Sequence, residues 1–316
     1  MNKNSIIILL CILITIILAL TTFLIYSIVN IKSLNFTFFT NIVGNNTNTI
    51  VKEQSYTIDS KDQININLIS SDIIIKVKDQ EELEIKQYSS KNLEEKYLFK
   101  ENNNESQINI EEEFNRKFIL AIFTPNIRYE IIIPKKYQEN IDINTISGDI
   151  EFTQQNTNPI YKNFKLSSTS GDILLKENFK TNNMTLKTVS GDIDTNNIDT
   201  KELSITSTSG DITLEKIETK NSKIKTISGS IEIESITGKI KTNTVSGDVD
   251  INNLLVTNNS SITTTSGDID IKMDKTSTCI INTKTVSGDV DSINNIGKDS
   301  NLFLELKTTS GDISID

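Results

Sequence analysis

The sequence predicts an all-β solenoid built from rungs of about 20 residues, preceded by one transmembrane helix. Three observations carry this expectation. A Ser-Gly-Asp-Ile/Val motif recurs nine times, its serine falling at 147, 170, 190, 209, 228, 246, 266, 287 and 310. The residues flanking each copy alternate apolar and polar with the period of two that a half-buried strand requires. Residues 6–31 form an apolar run without a single charge.

From the N-terminus, residues 1–5 read as a cytoplasmic stub and residues 6–31 as a retained membrane span, long enough to cross a bilayer with some tilt. A cleaved signal peptide would carry a shorter apolar core and a small-x-small cleavage site, and neither is evident. Lys3 precedes the span and Lys32 follows it, a weak bias toward an inside N-terminus with the bulk of the chain outside. Residues 32–49 read as a tether and residues 50–140 as an N-terminal β region. Within that region Ile66-x-Leu68-x-Ser70-Ser71-Asp72-Ile73-x-Ile75 is a degenerate first rung, with Ser71 in the glycine place. An acidic stretch from Glu81 to Glu113 then interrupts the pattern, and Ile131-Ile132-Ile133-Pro134 reads as a strand stopped by proline. Residues 141–316 are the regular array.

Aligned on the motif serine, the array repeats its chemistry. Two residues before it stands Thr or Ser in every copy, from Thr145 and Ser168 to Thr308. Four before it the residue is apolar, except at Thr242 and Thr283. Three after it stands Ile or Val, and five after it usually another apolar residue. Positions −4, −2 and 0 are therefore expected on one face, and +3 and +5 on one face, with a slip of one residue between them. Such a slip at glycine marks a corner or bulge, where glycine takes the bend and the aspartate side chain closes it. The corner residues are Gly148-Asp149, Gly171-Asp172, Gly191-Asp192, Gly210-Asp211, Gly229 (followed by Ser230), Gly247-Asp248, Gly267-Asp268, Gly288-Asp289 and Gly311-Asp312. The Thr/Ser at −2 and the motif serine should ladder along the stack, their hydroxyls bonding one another or the corner backbone. A variable return of about ten residues, rich in Asn, Lys and Thr, completes each rung. The chain stops directly after the ninth motif with no added cap. The last rung must then be covered by an earlier repeat or left as an open edge that invites weak self-association.

Composition excludes several chemistries. There is no histidine, so a histidine triad and histidine metal ligation are absent. Arginine occurs only at 116 and 128, outside the array. Cys11 lies in the apolar run and Cys279 in a strand-like run, which offers neither a disulfide nor a cysteine nucleophile with a histidine partner. The net charge of −10 argues against nucleic acid and against electrostatic attachment to anionic lipid. No metal and no cofactor are expected. The corner aspartates read as turn-closing side chains; a Ca²⁺ ladder is the sharper alternative, but one aspartate per rung is sparse for six to eight oxygen ligands. The residue before each motif serine runs Ile146, Thr169, Val189, Thr208, Ile227, Val245, Thr265, Val286, Thr309. If it faces outward it makes a flat Thr/aliphatic surface suited to binding; ordinary β-propensity on a solvent face is the plainer account.

The strand and proline at residues 128–134, then Asn144-Thr145-Ile146-Ser147-Gly148-Asp149-Ile150, then tandem Thr-x-Ser-Gly-Asp-Ile/Val copies, resemble the bacterial putative-adhesin family over residues 50–316. The resemblance implies a membrane-anchored, extracytoplasmic, non-enzymatic β-solenoid on the bacterial cell surface, with a protein or glycan as ligand and no catalytic residues to carry over. Some members resemble accessories of cell-envelope stress systems, which supplies an alternative role. A polysaccharide-active β-helix enzyme is a third reading and would need converging acids in a cleft.

Overall fold

The computed structural model describes residues 49–90, 93–112, 126–154, 159–292 and 300–316. The span expected at 6–31 and most of the tether lie outside these residues; among those described, no helix is long and apolar enough to cross a membrane.

The array is a β-solenoid of parallel rungs. Its plan is clearest where the repeat is shortest, in the strands Ile193–Thr206, Ile212–Lys225 and Ile231–Asn243. The first two pair over residues 193–195 with 212–214, 197–200 with 216–219, and 202–206 with 221–225. Each such rung therefore has three straight runs: one after the Gly-Asp corner, one in the middle, and one leading to the next motif. The middle run corrects the expected variable return. Ile198, Ile217, Ile236 and Leu254 stack there at 0–2% exposure, so the Asn- and Lys-rich segment hides one apolar residue per rung. The inward residues at −4, +3 and +5 stack likewise; Ile173, Ile193, Ile212, Ile231 and Val249 are all at 0%. Aligned isoleucines let parallel strands share one narrow core, because each β-branched side chain packs on its copy in the next rung. Phe152, Phe164, Phe179 and Tyr161 fill the wider first rungs, with ring centroids 4.4–5.7 Å apart.

Position 0 departs from expectation. The residues at −4 and −2 face inward, but the motif serines are exposed, so the corner begins at the serine itself.

At both ends the order of rungs in space differs from their order in the chain. Gln63–Asn67 and Ser71–Lys78 make the degenerate rung, which pairs on one side with Asn140–Ser147 and Ile150–Gln154. On its other side it pairs with Gln107–Glu111 and Ile127–Pro134. The acidic stretch read as an interruption thus contributes to the outermost rung. Glu82–Ser89 then adds antiparallel to Ile127–Pro134, and Thr49–Thr57 antiparallel to Glu82–Ser89, closing that end.

The C-terminal end has the same inversion. Ile313–Ile315 lies between Ile269–Met273 and Val290–Ser292, and Phe303–Lys307 between Ser260–Thr263 and Ile280–Lys284. The motif serines follow suit, with Ser266 bridging Ser310 and Ser310 bridging Ser287. The last copy in the chain is thus the next-to-last rung in space, covered by an earlier repeat, and the Ser287 copy is terminal. Its composition suits that place. Thr283 stands where the two neighbouring rungs have Ile262 and Leu306, Ser292 stands where they have Ile271 and Ile315, and Val290 is 42% exposed against 0–1% for Ile269 and Ile313. The terminal rung is therefore a polar cap made from an ordinary-looking repeat.

Candidate binding face

The corner is a column of backbone contacts. A Cβ at Gly210 would lie 1.9 Å from the carbonyl oxygen of Gly191, and one at Gly191 2.2 Å from that of Gly171. Close approach of the next rung, rather than a left-handed backbone, demands glycine at these central positions. At Gly148 both apply, since its φ is +146° and a Cβ would meet the Ser71 carbonyl at 2.2 Å.

The corner aspartates bond between rungs rather than within their own turn. The Asp172, Asp192 and Asp211 amides donate to Oδ1 of Asp149, Asp172 and Asp192 at 2.8–2.9 Å. Ser230 continues this ladder: its amide donates to Asp211 Oδ1 at 2.8 Å, and its Oγ accepts from the Asp248 amide at 3.4 Å. The amide of Asp312 then donates to Asp268, and that of Asp289 to Asp312, following the order in space. Beside this ladder the −2 hydroxyls donate to the preceding glycine carbonyls, as Thr188 does to Gly171 at 3.2 Å, Thr226 to Gly210 at 3.2 Å and Thr308 to Gly267 at 3.1 Å. Apart from that of Thr145, which has no partner among the described residues, the −2 hydroxyls therefore bond the corner backbone and not one another. All the corner residues named above thus stand in one structural column. Among the described residues no three Cys, Asp or Glu side chains come together in a way that could hold a metal ion.

Two outward walls flank this column. The wall after the corner is acidic. Glu215, Glu232, Glu234, Asp250, Asp270 and Asp316 line a shallow groove of about 910 Å³. Burial, followed by the neighbouring Asp270, Asp248, Glu232 and Asp268, raises the Asp250 carboxyl above its ordinary value; burial and Asp192 do the same to Asp194. At the N-terminal end of the stack Glu112 accepts the Ile69 amide at 2.9 Å, and burial raises its carboxyl.

The wall before the corner is different. Its −1 row faces solvent: Ile146 and Ile227 are 50% exposed, Val245 43% and Val189 38%. The exposed motif serines run beside it, and the exposed Lys187, two residues further from the corner, and Lys223 and Lys241, four residues further, share this wall. These lysines were not singled out from the sequence, because alternating one run of ten residues shows polarity but not which rungs lie side by side.

The chain belongs to the Toastrack DUF4097 family, whose model matches residues 61–316. No curated protein matches it. Among solved structures it is similar to a "putative lipid binding protein" from Parabacteroides distasonis, at 16% identity over 85% of this chain and 98% of that one, with a TM-score of 0.53. It is also similar to a "putative adhesin" from the same organism, at 11% identity over 83% and 96%, with a TM-score of 0.54. At these identities the likeness establishes the shared solenoid fold.

Proposed function

We propose that this chain is a non-enzymatic adhesion or binding scaffold, held at the outer face of a cell membrane by residues 6–31, and that the wall before the corner is its binding face. The observation that carries this reading is the −1 row. Ile146, Val189, Ile227 and Val245 hold aliphatic side chains in solvent along a fold whose inward positions are already filled. The corner carboxylates support the non-enzymatic part, since each but that of Asp289 in the terminal rung is engaged with a backbone amide of the next rung. The names of the structural neighbours fit a binding role, and a lipid, a glycan and a surface protein are all ligands to screen. Among the described residues the outer edge of the capping rung, at Ile280–Lys284 and Val290–Ser292, pairs with no further strand and is the place for weak self-association.

The test is binding of the full chain to wall fragments, glycans and lipid vesicles, compared with Ile227→Asp/Val245→Asp. Loss of binding at unchanged melting temperature supports the reading; wild-type binding by the variant overturns the assignment of the face. Protease added to intact cells should remove the solenoid, and full protection would defeat the external anchor.

A further inference from the structure

Although the chain is acidic overall, the two walls that flank the corner differ in charge. The wall after the corner holds the aspartate ladder and the acidic groove. The wall before it carries most of its charge as lysine, and the lysines fall into a pattern that only the order in space shows. The Ser170 and Ser190 rungs present Lys165 and Lys187. The Ser209 rung presents Ser204, Thr206 and Thr208 instead, with Glu202 in the column that Lys239 occupies two rungs on. The Ser228 and Ser246 rungs present Lys223 with Lys225, and Lys239 with Lys241. The Ser266 rung returns to hydroxyls, with Ser261, Thr263 and Thr265, and the last two rungs in space present Lys307, with Glu305 two residues before it, and Lys284. Two basic rungs thus alternate with one hydroxyl rung, a repeat of about 14 Å at the usual strand spacing. Lys165 pairs with Asp142 at 2.9 Å. Among the described residues, the other lysines of this wall have no acidic partner within ion-pairing distance.

We propose that this wall binds an extended anionic glycan laid along the stack, the lysines meeting its carboxylate, sulfate or phosphate groups and the hydroxyl rungs its sugar hydroxyls. The proposal rests on the binding-scaffold reading and names its ligand class. Charge complementarity carries it: unpaired ammonium groups recur at a fixed spacing along a straight face, while the acidic wall opposes binding from the wrong side. The chemistry favours a glycan over a nucleic acid. Among the described residues the face offers one exposed ring, Phe303 at its margin, and no arginine, whereas single-stranded nucleic acid is held by base stacking and arginine.

The experiment measures binding of the full chain, in mild detergent, to a heparin fragment, with dextran as the uncharged probe and oligo-dT and phosphatidylglycerol vesicles as the other polyanions. Lys223→Glu/Lys241→Glu should weaken heparin binding about tenfold or more, Lys223→Gln/Lys241→Gln should fall between, and Lys272→Glu on the acidic wall should change it less than about twofold. Raising salt from about 50 to about 200 mM should weaken it several-fold. Equal loss in the Lys272 variant, tighter binding of oligo-dT or vesicles, or no heparin binding at low salt would overturn the proposal. Binding of dextran that survives the lysine changes but fails in Ile227→Asp/Val245→Asp would overturn the anionic ligand and leave the scaffold reading standing. Melting temperatures of every variant separate lost binding from lost fold.

Discussion

Replacing Gly210 by alanine should be among the most damaging small substitutions in the array. The added Cβ would sit 1.9 Å from the Gly191 oxygen and 2.6 Å from its carbonyl carbon, where a side-chain carbon requires more than 3 Å. The obstacle is backbone with rungs on both sides, so the strain cannot pass to a flexible side chain. Overpacking of this kind costs about 1–3 kcal/mol. Moving the rungs apart also stretches the bond from Ser207 Oγ to the Gly191 carbonyl (3.4 Å) and that from the Asp211 amide to Asp192 Oδ1 (2.8 Å), each contributing about 1 kcal/mol. The expected loss is about 3–5 kcal/mol. Ser71→Ala is the internal control: it occupies the glycine place in a rung that already accommodates a Cβ, and should stay within about 1 kcal/mol. Urea unfolding followed by far-ultraviolet circular dichroism measures both. A Gly210→Ala midpoint equal to wild type would refute the close-packed corner column.

Two other perturbations separate this account from simpler ones. Removing residues 300–316 takes away the rung between the Ser266 and Ser287 copies, so the Ser287 copy should lose its partner strands and become protease-sensitive to about residue 275; retention of a folded Ser287 rung would show that the rungs stack in chain order. Asp250, with its carboxyl raised in the folded state, binds its proton more tightly there than when unfolded. It therefore disfavours folding at neutral pH, and this cost is relieved as pH falls toward the ordinary carboxylate value of 3.8. Asp250→Asn should accordingly melt higher than wild type at pH 7 and lose that advantage near pH 4, as read by thermal melts; lower stability of the variant at pH 7 would contradict the sign.

The solenoid was legible because Ile173, Ile193 and Ile212 repeat at nearly constant spacing, and that spacing is the signature of stacked strands. The Thr/aliphatic row was also legible, since position −1 has opposite parity to the buried −2 and −4. The middle run was missed because a single Ile198 or Ile217 among Asn, Asp and Lys has no local alternation to reveal it. The role of glycine was read from backbone conformation, whereas Gly210 is fixed by a carbonyl of another rung, which no local pattern encodes. The inverted C-terminal order left one trace: Thr283 and Ser292 make the Ser287 copy the one with a polar residue at both −4 and +5. The lysine wall was hidden for the same reason, because neighbours in space here are residues 20 to 44 positions apart in the chain.

The central claim, that the wall before the corner is where the chain meets its ligand, is tested most directly by lysine acylation footprinting with and without bound wall fragments. The account predicts that Lys187, Lys223 and Lys241 become protected on binding while Lys176 and Lys272 on the acidic wall label as before. Protection of Lys176 and Lys272 with Lys223 and Lys241 still reactive would contradict it.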